Sequence, residues 1–376
     1  LNPDHKLPST RRQFLAQGFL GAFQFLAVPS LLTMLEKRAF AQDACGAGGD
    51  NANFVAPYLT FELSGGAGLP GNFAFGKQRD GADPEWLGAN SYSSLGLPSD
   101  QHPGTLAPNM EFGAPFHANS GLLRGLKSVM SPEAIAKTLA FGMAGQSVDD
   151  SPGINSNRYN ATQLAVAISG AQSQLVQIVG TEASNSGGRN NPNPVGDDPT
   201  LTKARIRQVN DLQQLVDPGI VATRLSQADA EAIAKAAQEM SASKLAEFKA
   251  KRLPEQIRTL VDCGYKGVES LLSEFTFNNL NPVGDADFTG IFDPNSQEES
   301  RLAAMVKLML DGNASGGTIQ KGGYDYHGAN NRAAQDNLDA EAGRQIGIAL
   351  EAAHRKGKPF FVCVTTDGGV ASNGGG

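Results

Sequence analysis

Long helices alternate with short apolar strands along this chain, and that alternation constrains its fold more than any other feature. Helical periodicity predicts helices at 298–310 and 329–355, and the second is followed closely by a β-rich apolar run at 360–365. Earlier in the chain we predict strands at 55–63, 138–143 and 174–179, and helices at 122–130 and 164–169. This order favours an α/β fold, with a mostly parallel central sheet and helices on both faces.

An alanine-rich stretch separates the two groups of elements. Residues 202–275 are predicted to be almost entirely helical, with a capping box at 226–229 and a break at Pro254. The apolar stripe of these helices is thin, which suits a helical hairpin packed on a domain surface. We therefore expect a helical insert at 201–278, which either covers the sheet or forms an arm that binds a partner.

The amino-terminal residues contain the three parts of a twin-arginine export signal in the correct order. Arg11 and Arg12 precede one polar and two apolar residues, an apolar run spans 19–35, and residues 39–41 read A-F-A. The A-x-A pattern is typical of a cleavage site. The sequence therefore predicts export to the periplasm of a bacterium by the twin-arginine route.

Two further expectations concern the ends of the chain. The signal should comprise residues 1–41 and the α/β domain residues 42–376. An uncleaved signal could anchor the protein in the inner membrane, because residues 18–35 are close to the minimum length of a span, with a kink at Pro29. The final glycine run directly follows a strand, so we expect the natural domain to continue beyond residue 376.

Charge and cysteine content disfavour several classes of partner. The net charge of −7, without a basic block, disfavours non-specific binding to nucleic acid or to an anionic membrane face. Cys45, Cys263 and Cys363 show no CxxC spacing, so neither a zinc site nor a disulfide framework is indicated. Cys363 lies in an apolar run and is predicted to be a buried, small hydrophobic residue.

Candidate ligands for a metal ion follow the predicted strands. Ligands of parallel sheets gather beyond the carboxyl ends of the strands, where Gly65 and Gly66 also lie. Asp325 and His327 are two apart on one loop, and Asp367 closes the last strand, so the three could bind one cation. Taken alone, this spacing also fits a hydrogen-bond network within the loop. His102, His117 and His354 are further candidates without ligand spacing.

Two motifs near the carboxyl terminus have a familiar order. Residues 338–344 read L-D-A-E-A-G-R within the long helix, and residues 365–368 read T-T-D-G. With the D-x-H loop before them, they resemble the carboxyl-terminal part of sulfatases and their alkaline-phosphatase-superfamily relatives. The chain most resembles a twin-arginine-exported branch, the domain of unknown function fifteen-oh-one, which has a strand ending in a double glycine and a G-[GWF]-D-T-H loop. The resemblance implies an alkaline-phosphatase-like fold, with Asp325 and His327 matching the Asp and His of that loop.

The chain also departs from this pattern. The branch usually has an Asp just after the glycines of the first strand, where this chain has Ala67 and Gly68. It usually has an S-R-S-H-F-type turn, whereas residues 155–160 contain no histidine. We recognise no Ser, Thr or Cys nucleophile with an activating base, and the three metal candidates are too few for a two-metal clamp.

Two functions therefore remain open, and the sequence leaves undecided whether the protein is an enzyme. The favoured one is a degenerate member without a cofactor, acting as a structural or binding subunit at the periplasmic face of an envelope membrane complex. Its partners would be other envelope or membrane protein subunits. The alternative is a metal-dependent hydrolase of phosphate or sulfate esters, which would hold zinc, calcium or manganese at Asp325, His327 and Asp367.

Overall fold

In the computed structural model, five parallel strands form the central sheet. They are β1 (Tyr58–Leu63), β4 (Val176–Gly180), β5 (Lys203–Arg205), β6 (Ala314–Lys321) and β7 (Phe361–Thr366), in the order β5-β4-β6-β1-β7. A separate antiparallel pair consists of β2 (Gly76–Lys77) and β3 (Glu85–Trp86). The structure describes residues 56–77, 84–94, 97, 99–142, 173, 175–181, 203–216, 277–324 and 332–366. The predicted α/β class with a mostly parallel sheet is confirmed.

Seven α-helices lie within these residues. They are α1 (Ala89–Ser94), α2 (Gly121–Lys127), α3 (Pro132–Ala136), α4 (Gln213–Val216), α5 (Phe277–Leu280), α6 (Gln297–Leu310) and α7 (Arg332–Arg355). Serine side chains cap the amino termini of three of them, because Ser120, Ser131 and Ser296 each accept a backbone N–H of the first turn. The predicted helices at 122–130, 298–310 and 329–355 correspond to α2, α6 and α7.

Two compact units divide the chain. The larger comprises residues 55–211 and 281–376 and contains the whole described sheet; the smaller comprises 1–54 and 212–280, described only at 212–216 and 277–280. The predicted signal at 1–41 and most of the predicted insert at 201–278 lie outside the described residues. Within the described ranges, no helix is long and apolar enough to cross a membrane.

Strand β1 lies at the centre of the hydrophobic core. All six of its residues are buried, and it pairs with β6 on one side and β7 on the other, with Leu63 opposite both Lys321 and Thr366. Helices α6 and α7 cover the face that carries Lys321, whose ammonium reaches glutamates on both helices. Because the three strands are parallel and in register, the loops after β1, β6 and β7 emerge at one edge of the sheet.

Two secondary-structure predictions are wrong. Residues 138–142, the described part of the strand predicted at 138–143, form no strand. The Ala140 N–H donates to the Phe112 carbonyl at 2.7 Å, which links this segment to the turn at residues 110–113. The helix predicted from residue 202 is replaced at its start by β5, because pairing with β4 outweighs the helical propensity of Lys and Ala. The helix predicted at 164–169 lies outside the described residues.

The last strand is less buried than its sequence predicts. Strand β7 is exposed at Phe361 and half-buried over its other five residues, because it is the outermost strand of the described sheet, next to β1. Cys363, predicted to be fully buried, is accordingly half-buried, and this partial burial raises the pKa of its thiol.

Candidate functional site

Hydrogen bonds join the turn after β1 to the carboxyl ends of the two neighbouring strands, β6 and β7. On one side, the Ser64 N–H donates to the Lys321 carbonyl at 2.8 Å, and the Tyr324 N–H donates to the Ser64 carbonyl at 3.1 Å. On the other side, the Thr366 hydroxyl donates to the Leu63 carbonyl at 2.8 Å and accepts the Ala67 N–H at 2.7 Å. The turn is therefore fixed to both of its neighbours.

This arrangement bears on the three predicted metal ligands. Asp325, His327 and Asp367 themselves lie outside the described residues. Asp325 directly follows Tyr324 in the chain, and Asp367 directly follows Thr366. The structure places Tyr324 and Thr366 on opposite sides of the turn after β1, at the same edge of the sheet. The metal site at Asp325, His327 and Asp367 stays a prediction.

The turn after β1 is closely packed at positions 67 and 68. Gly65 and Gly66 have φ angles of +115° and +97°, which favour glycine. Ala67 is 2% exposed, and a Cβ on Gly68 would lie 2.7 Å from Nε2 of Gln335. That amide also donates to the Gly68 carbonyl at 3.0 Å. A carboxylate at position 67 or 68 would have to displace this contact or enter the core.

Two of the candidate histidines are engaged in loop structure. Nε2 of His102 bonds the Leu87 carbonyl at 2.8 Å, and Nδ1 bonds the Gly104 N–H at 3.0 Å. A carbonyl only accepts and an N–H only donates, so Nε2 carries the proton and the lone pair of Nδ1 is used. This tautomer leaves His102 no free nitrogen for a metal ion.

His117 is 2% exposed and bonds the hydroxyl of Tyr92. Burial lowers its pKa to about 4, so the imidazole is neutral at physiological pH. Among the described residues, no three His, Cys, Asp or Glu side chains are grouped so that they could hold a metal ion.

The L-D-A-E-A-G-R motif attaches α7 to the sheet. The carbonyl of Leu338 accepts the Tyr324 hydroxyl at 2.8 Å, and Glu341 pairs with Lys321 at 2.5 Å. Arg344 makes a two-pronged contact with Glu299 of α6, at 2.7 and 3.0 Å. These residues therefore hold α7 against the end of β6 and the start of α6.

The aspartate of the same motif lies inside the protein. Asp339 is 2% exposed, and Oδ2 accepts the Asn72 side-chain amide at 2.7 Å. Burial raises its pKa to about 6, although the bonds from Asn72 and Gln335 oppose that shift. The Asn72 side-chain carbonyl in turn accepts the Ser120 hydroxyl at 2.7 Å. This buried network joins α7, the chain leaving β1 and the amino terminus of α2.

The glycine of the motif allows α2 and α7 to approach closely. A Cβ on Gly343 would lie 2.2 Å from the Leu122 carbonyl oxygen, and one on Gly125 would lie 2.0 Å from that of Ala340. Either distance is far below van der Waals contact, so only glycine permits this separation of the helices. The motif is thus accounted for by packing, ion pairs and hydrogen bonds.

Comparison of the chain with models of protein families, with curated proteins and with solved structures finds no match. The structure itself defines the class of this chain as an α/β protein with a parallel central sheet.

Proposed function

We propose that this protein is an exported structural or binding subunit at the periplasmic face of an envelope membrane complex, built on a degenerate alkaline-phosphatase-like or sulfatase-like fold. The observation that carries the proposal is the packing of the turn after β1. Ala67 is buried, and its N–H donates a hydrogen bond to the Thr366 hydroxyl. The Gln335 amide donates to the Gly68 carbonyl. The positions where the resembled branch usually has an Asp ligand hold Ala67 and Gly68, neither of which has a side chain that can bind a cation.

A second observation supports the same proposal. The motif residues Asp339, Glu341 and Arg344 all serve contacts between α7 and its neighbours. A subunit that needs the fold but not the reaction would keep these contacts and lose ligands of the first strand. This combination of a retained framework and a closed turn is the pattern expected of a binding or structural protein.

Metal analysis of the purified full chain tests the proposal. We expect no stoichiometric zinc, calcium or manganese, and no hydrolysis of p-nitrophenyl phosphate or p-nitrophenyl sulfate. A cation needs at least three well-placed protein ligands, and Ala67 and Gly68 have no side-chain ligand. One equivalent of metal that is lost in Asp325→Ala or His327→Ala, but kept in the control His354→Ala, would reject the proposal.

Cell fractionation tests the export part. Changing Arg11 and Arg12 together to Lys should leave the protein in the cytoplasm, whereas the control Arg38→Lys should be delivered normally. Normal delivery of the double variant would refute the twin-arginine route. Retention of the anchor is tested separately, because amino-terminal sequencing of the mature protein that begins at Gln42 would show cleavage.

The alternative is a metal-dependent hydrolase of phosphate or sulfate esters. It is favoured by the position of Tyr324 and Thr366 beside one turn, because Asp325 and Asp367 follow these residues directly. Those carboxylates, with His327, would then hold a divalent cation that polarises a phosphoryl or sulfuryl oxygen. The metal analysis described above distinguishes the two functions.

A further inference from the structure

One face of the central sheet is polar where β1 crosses it. Successive side chains of a strand point to opposite faces, so Leu59, Phe61 and Leu63 share the face of β1 that α6 and α7 cover. Thr60 and Glu62 share the other face, at 1% and 2% exposure. A buried parallel sheet normally has apolar side chains on both faces. Polar side chains buried on this face therefore have to be explained by the bonds that they make.

Thr60 and Thr318 are neighbours on this polar face. They lie directly opposite each other in the parallel pairing of β1 with β6, so their side chains are on the same face of two adjacent strands. Thr318 is 0% exposed. Neither Oγ1 of Thr60 nor Oγ1 of Thr318 has a hydrogen-bond partner among the described residues. Two buried hydroxyl groups thus stand next to each other across one pair of strands.

A hydroxyl group that is buried without a hydrogen bond is costly. It loses its bonds to bulk water, and no protein group replaces them. Valine, which has nearly the same shape as threonine, would avoid this cost. Buried polar groups are generally bonded to protein atoms or to ordered water. A water molecule suits two neighbouring hydroxyls, because it can accept one hydrogen bond from each of them.

The residues around the two threonines are compatible with a water. Glu62 is the next side chain along β1 on the same face, and its carboxylate can accept a hydrogen bond that the water donates. Opposite Thr318 on β4 lies Gly180, which places no side chain beside that hydroxyl. Opposite Thr60 on β7 lies Cys363, whose sulfur is only a weak hydrogen-bonding group. The strongest acceptor beside the pair on these strands is therefore a carboxylate.

We propose that one buried water molecule bridges the hydroxyls of Thr60 and Thr318 and joins β1 to β6 on the polar face of the sheet. The water accepts a hydrogen bond from each threonine and donates one to Glu62, which gives it the roughly three bonds that are typical of a buried water. It supplements the backbone ladder between the two strands. The site uses none of the residues of the predicted metal site.

Urea unfolding of valine variants of the full chain tests the bridge. Thr60→Val and Thr318→Val each remove one hydroxyl and leave the other threonine and the water with one bond fewer. Each should therefore raise the equilibrium constant for unfolding about fivefold to tenfold. The double variant has no hydroxyl left to satisfy, so its unfolding constant should stay close to that of a single variant and far below the product of the two effects.

A control pair uses a threonine that is bonded elsewhere. The Thr289 hydroxyl donates to the Asp285 carbonyl at 3.0 Å, in the loop before α6 and not on the sheet. The effects of Thr60→Val and Thr289→Val should multiply in the double variant, because residues without a shared partner act independently.

Two results of the unfolding measurements would overturn the proposal. Single valine variants at Thr60 and Thr318 that match or exceed the stability of the wild type would show that the hydroxyls are unbonded, because valine then removes an unsatisfied polar group. Single variants that are less stable, with effects that multiply in the double variant, would show that each hydroxyl bonds a separate protein group.

A crystal structure of the wild type tests the site even if a valine variant fails to fold. One water oxygen should lie about 2.6–3.2 Å from both Oγ1 atoms. A direct bond between the two hydroxyls, without density between them, would refute the bridge. Density surrounded by six or more oxygens at about 2.3–2.6 Å would identify a cation such as calcium and would refute it as well.

Discussion

Asn72 and Asp339 are 267 positions apart in the sequence, and a hydrogen bond of 2.7 Å joins their side chains inside the protein. Asn72 ends the short helical turn that follows β1, and Asp339 lies on α7. The carboxylate thus connects the chain that leaves β1 with α7. Its second oxygen, Oδ1, is buried and has no hydrogen-bond partner among the described residues.

This burial predicts a pH dependence of stability. Folding raises the pKa of Asp339 from 3.8 to about 6, so the folded state loses stability as pH rises from about 4 to 6 and carries the full penalty above that range. The shift corresponds to about 3 kcal/mol. Asp339→Asn keeps an acceptor for Asn72 without the charge. At pH 7.5 we expect the free energy of unfolding of the variant to exceed that of the wild type by about 1–2 kcal/mol. This gain is smaller than the full penalty because the new side-chain amide group needs a hydrogen-bond partner.

Urea unfolding at pH 4, 6 and 7.5 measures this effect. The difference between the wild type and Asp339→Asn should grow with pH up to about 6 and then stay constant. Comparing the two proteins at each pH cancels the titration of other groups, and Asp293→Asn, at an exposed site, serves as the control. A difference that is the same at all three pH values would contradict the assignment.

The contact between α2 and α7 predicts unequal effects of alanine at two glycines. Gly125→Ala should lower stability by about 2–3 kcal/mol, because the new methyl group would meet the Ala340 carbonyl. Gly347→Ala should cost much less, because its Cβ would lie 3.1 Å from the Leu126 carbonyl oxygen, a tight contact that the higher helix propensity of alanine partly offsets. Thermal unfolding of both variants gives the comparison. A melting temperature raised by Gly125→Ala would show that the helices are further apart.

The ion pairs of Lys321 should make stability depend on pH in the opposite direction to Asp339. Its ammonium lies between Glu298 and Glu341, and its hydrogen bond is the largest cause that lowers the pKa of Glu298 to about 2. This pair stabilises the fold above pH 4.5, and the contribution is lost as pH falls towards 2. Lys321→Met should cost about 1–2 kcal/mol at pH 7, a modest amount because both glutamates are half-exposed and screened by water.

Urea unfolding at pH 7, 4.5 and 2.5 checks the role of Lys321. The difference between the wild type and Lys321→Met should shrink as pH falls, whereas the exposed control Lys77→Met should show no such trend. A difference that persists at pH 2.5 would indicate that lost packing of the lysine stem, and not its charge, determines the effect.

Thr366 predicts a local effect at the turn after β1. Thr366→Val removes the hydroxyl that bonds both the Leu63 carbonyl and the Ala67 N–H, which should cost about 1–3 kcal/mol. Thr366→Ser keeps the hydroxyl and should retain most of the stability. Hydrogen exchange at Ala67 should quicken in the valine variant only. Equal exchange in both variants would show that the hydroxyl does not fix the turn.

Elements with a strong, regular pattern were predictable from the sequence. Helices α6 and α7 have long apolar stripes, and β1 is a continuous β-rich run, so each corresponds to a predicted element. Strand β6 was missed because its sequence, A-S-G-G-T-I-Q-K, reads as a loop. Its glycines are required by distant residues, since a Cβ on Gly316 would lie 2.8 Å from the ring of Tyr58.

The role of the helix motif could not be read from local sequence either. The hydrogen-bond partners of residues 338–344 lie on β6, on α6 and in the loop after β1, all far from this motif in sequence. One local signal was present. Asp339 occupies the buried stripe of α7 together with Ala342, Ile346, Ala349 and Ala353, and an acid on such a stripe indicates a buried polar contact.

The position of β1 has a consequence for the order in which the protein forms. The Thr366 side chain bonds Leu63, which lies 303 positions earlier in the sequence, and β6 pairs with the other side of β1. During synthesis, β1 leaves the ribosome before β6 and β7, so it is unpaired until they emerge. Contacts so far apart in sequence form slowly. A nascent chain whose β7 is still within the ribosome presents β1 as an apolar strand with one unpaired edge, which favours association with other chains until residue 366 has emerged.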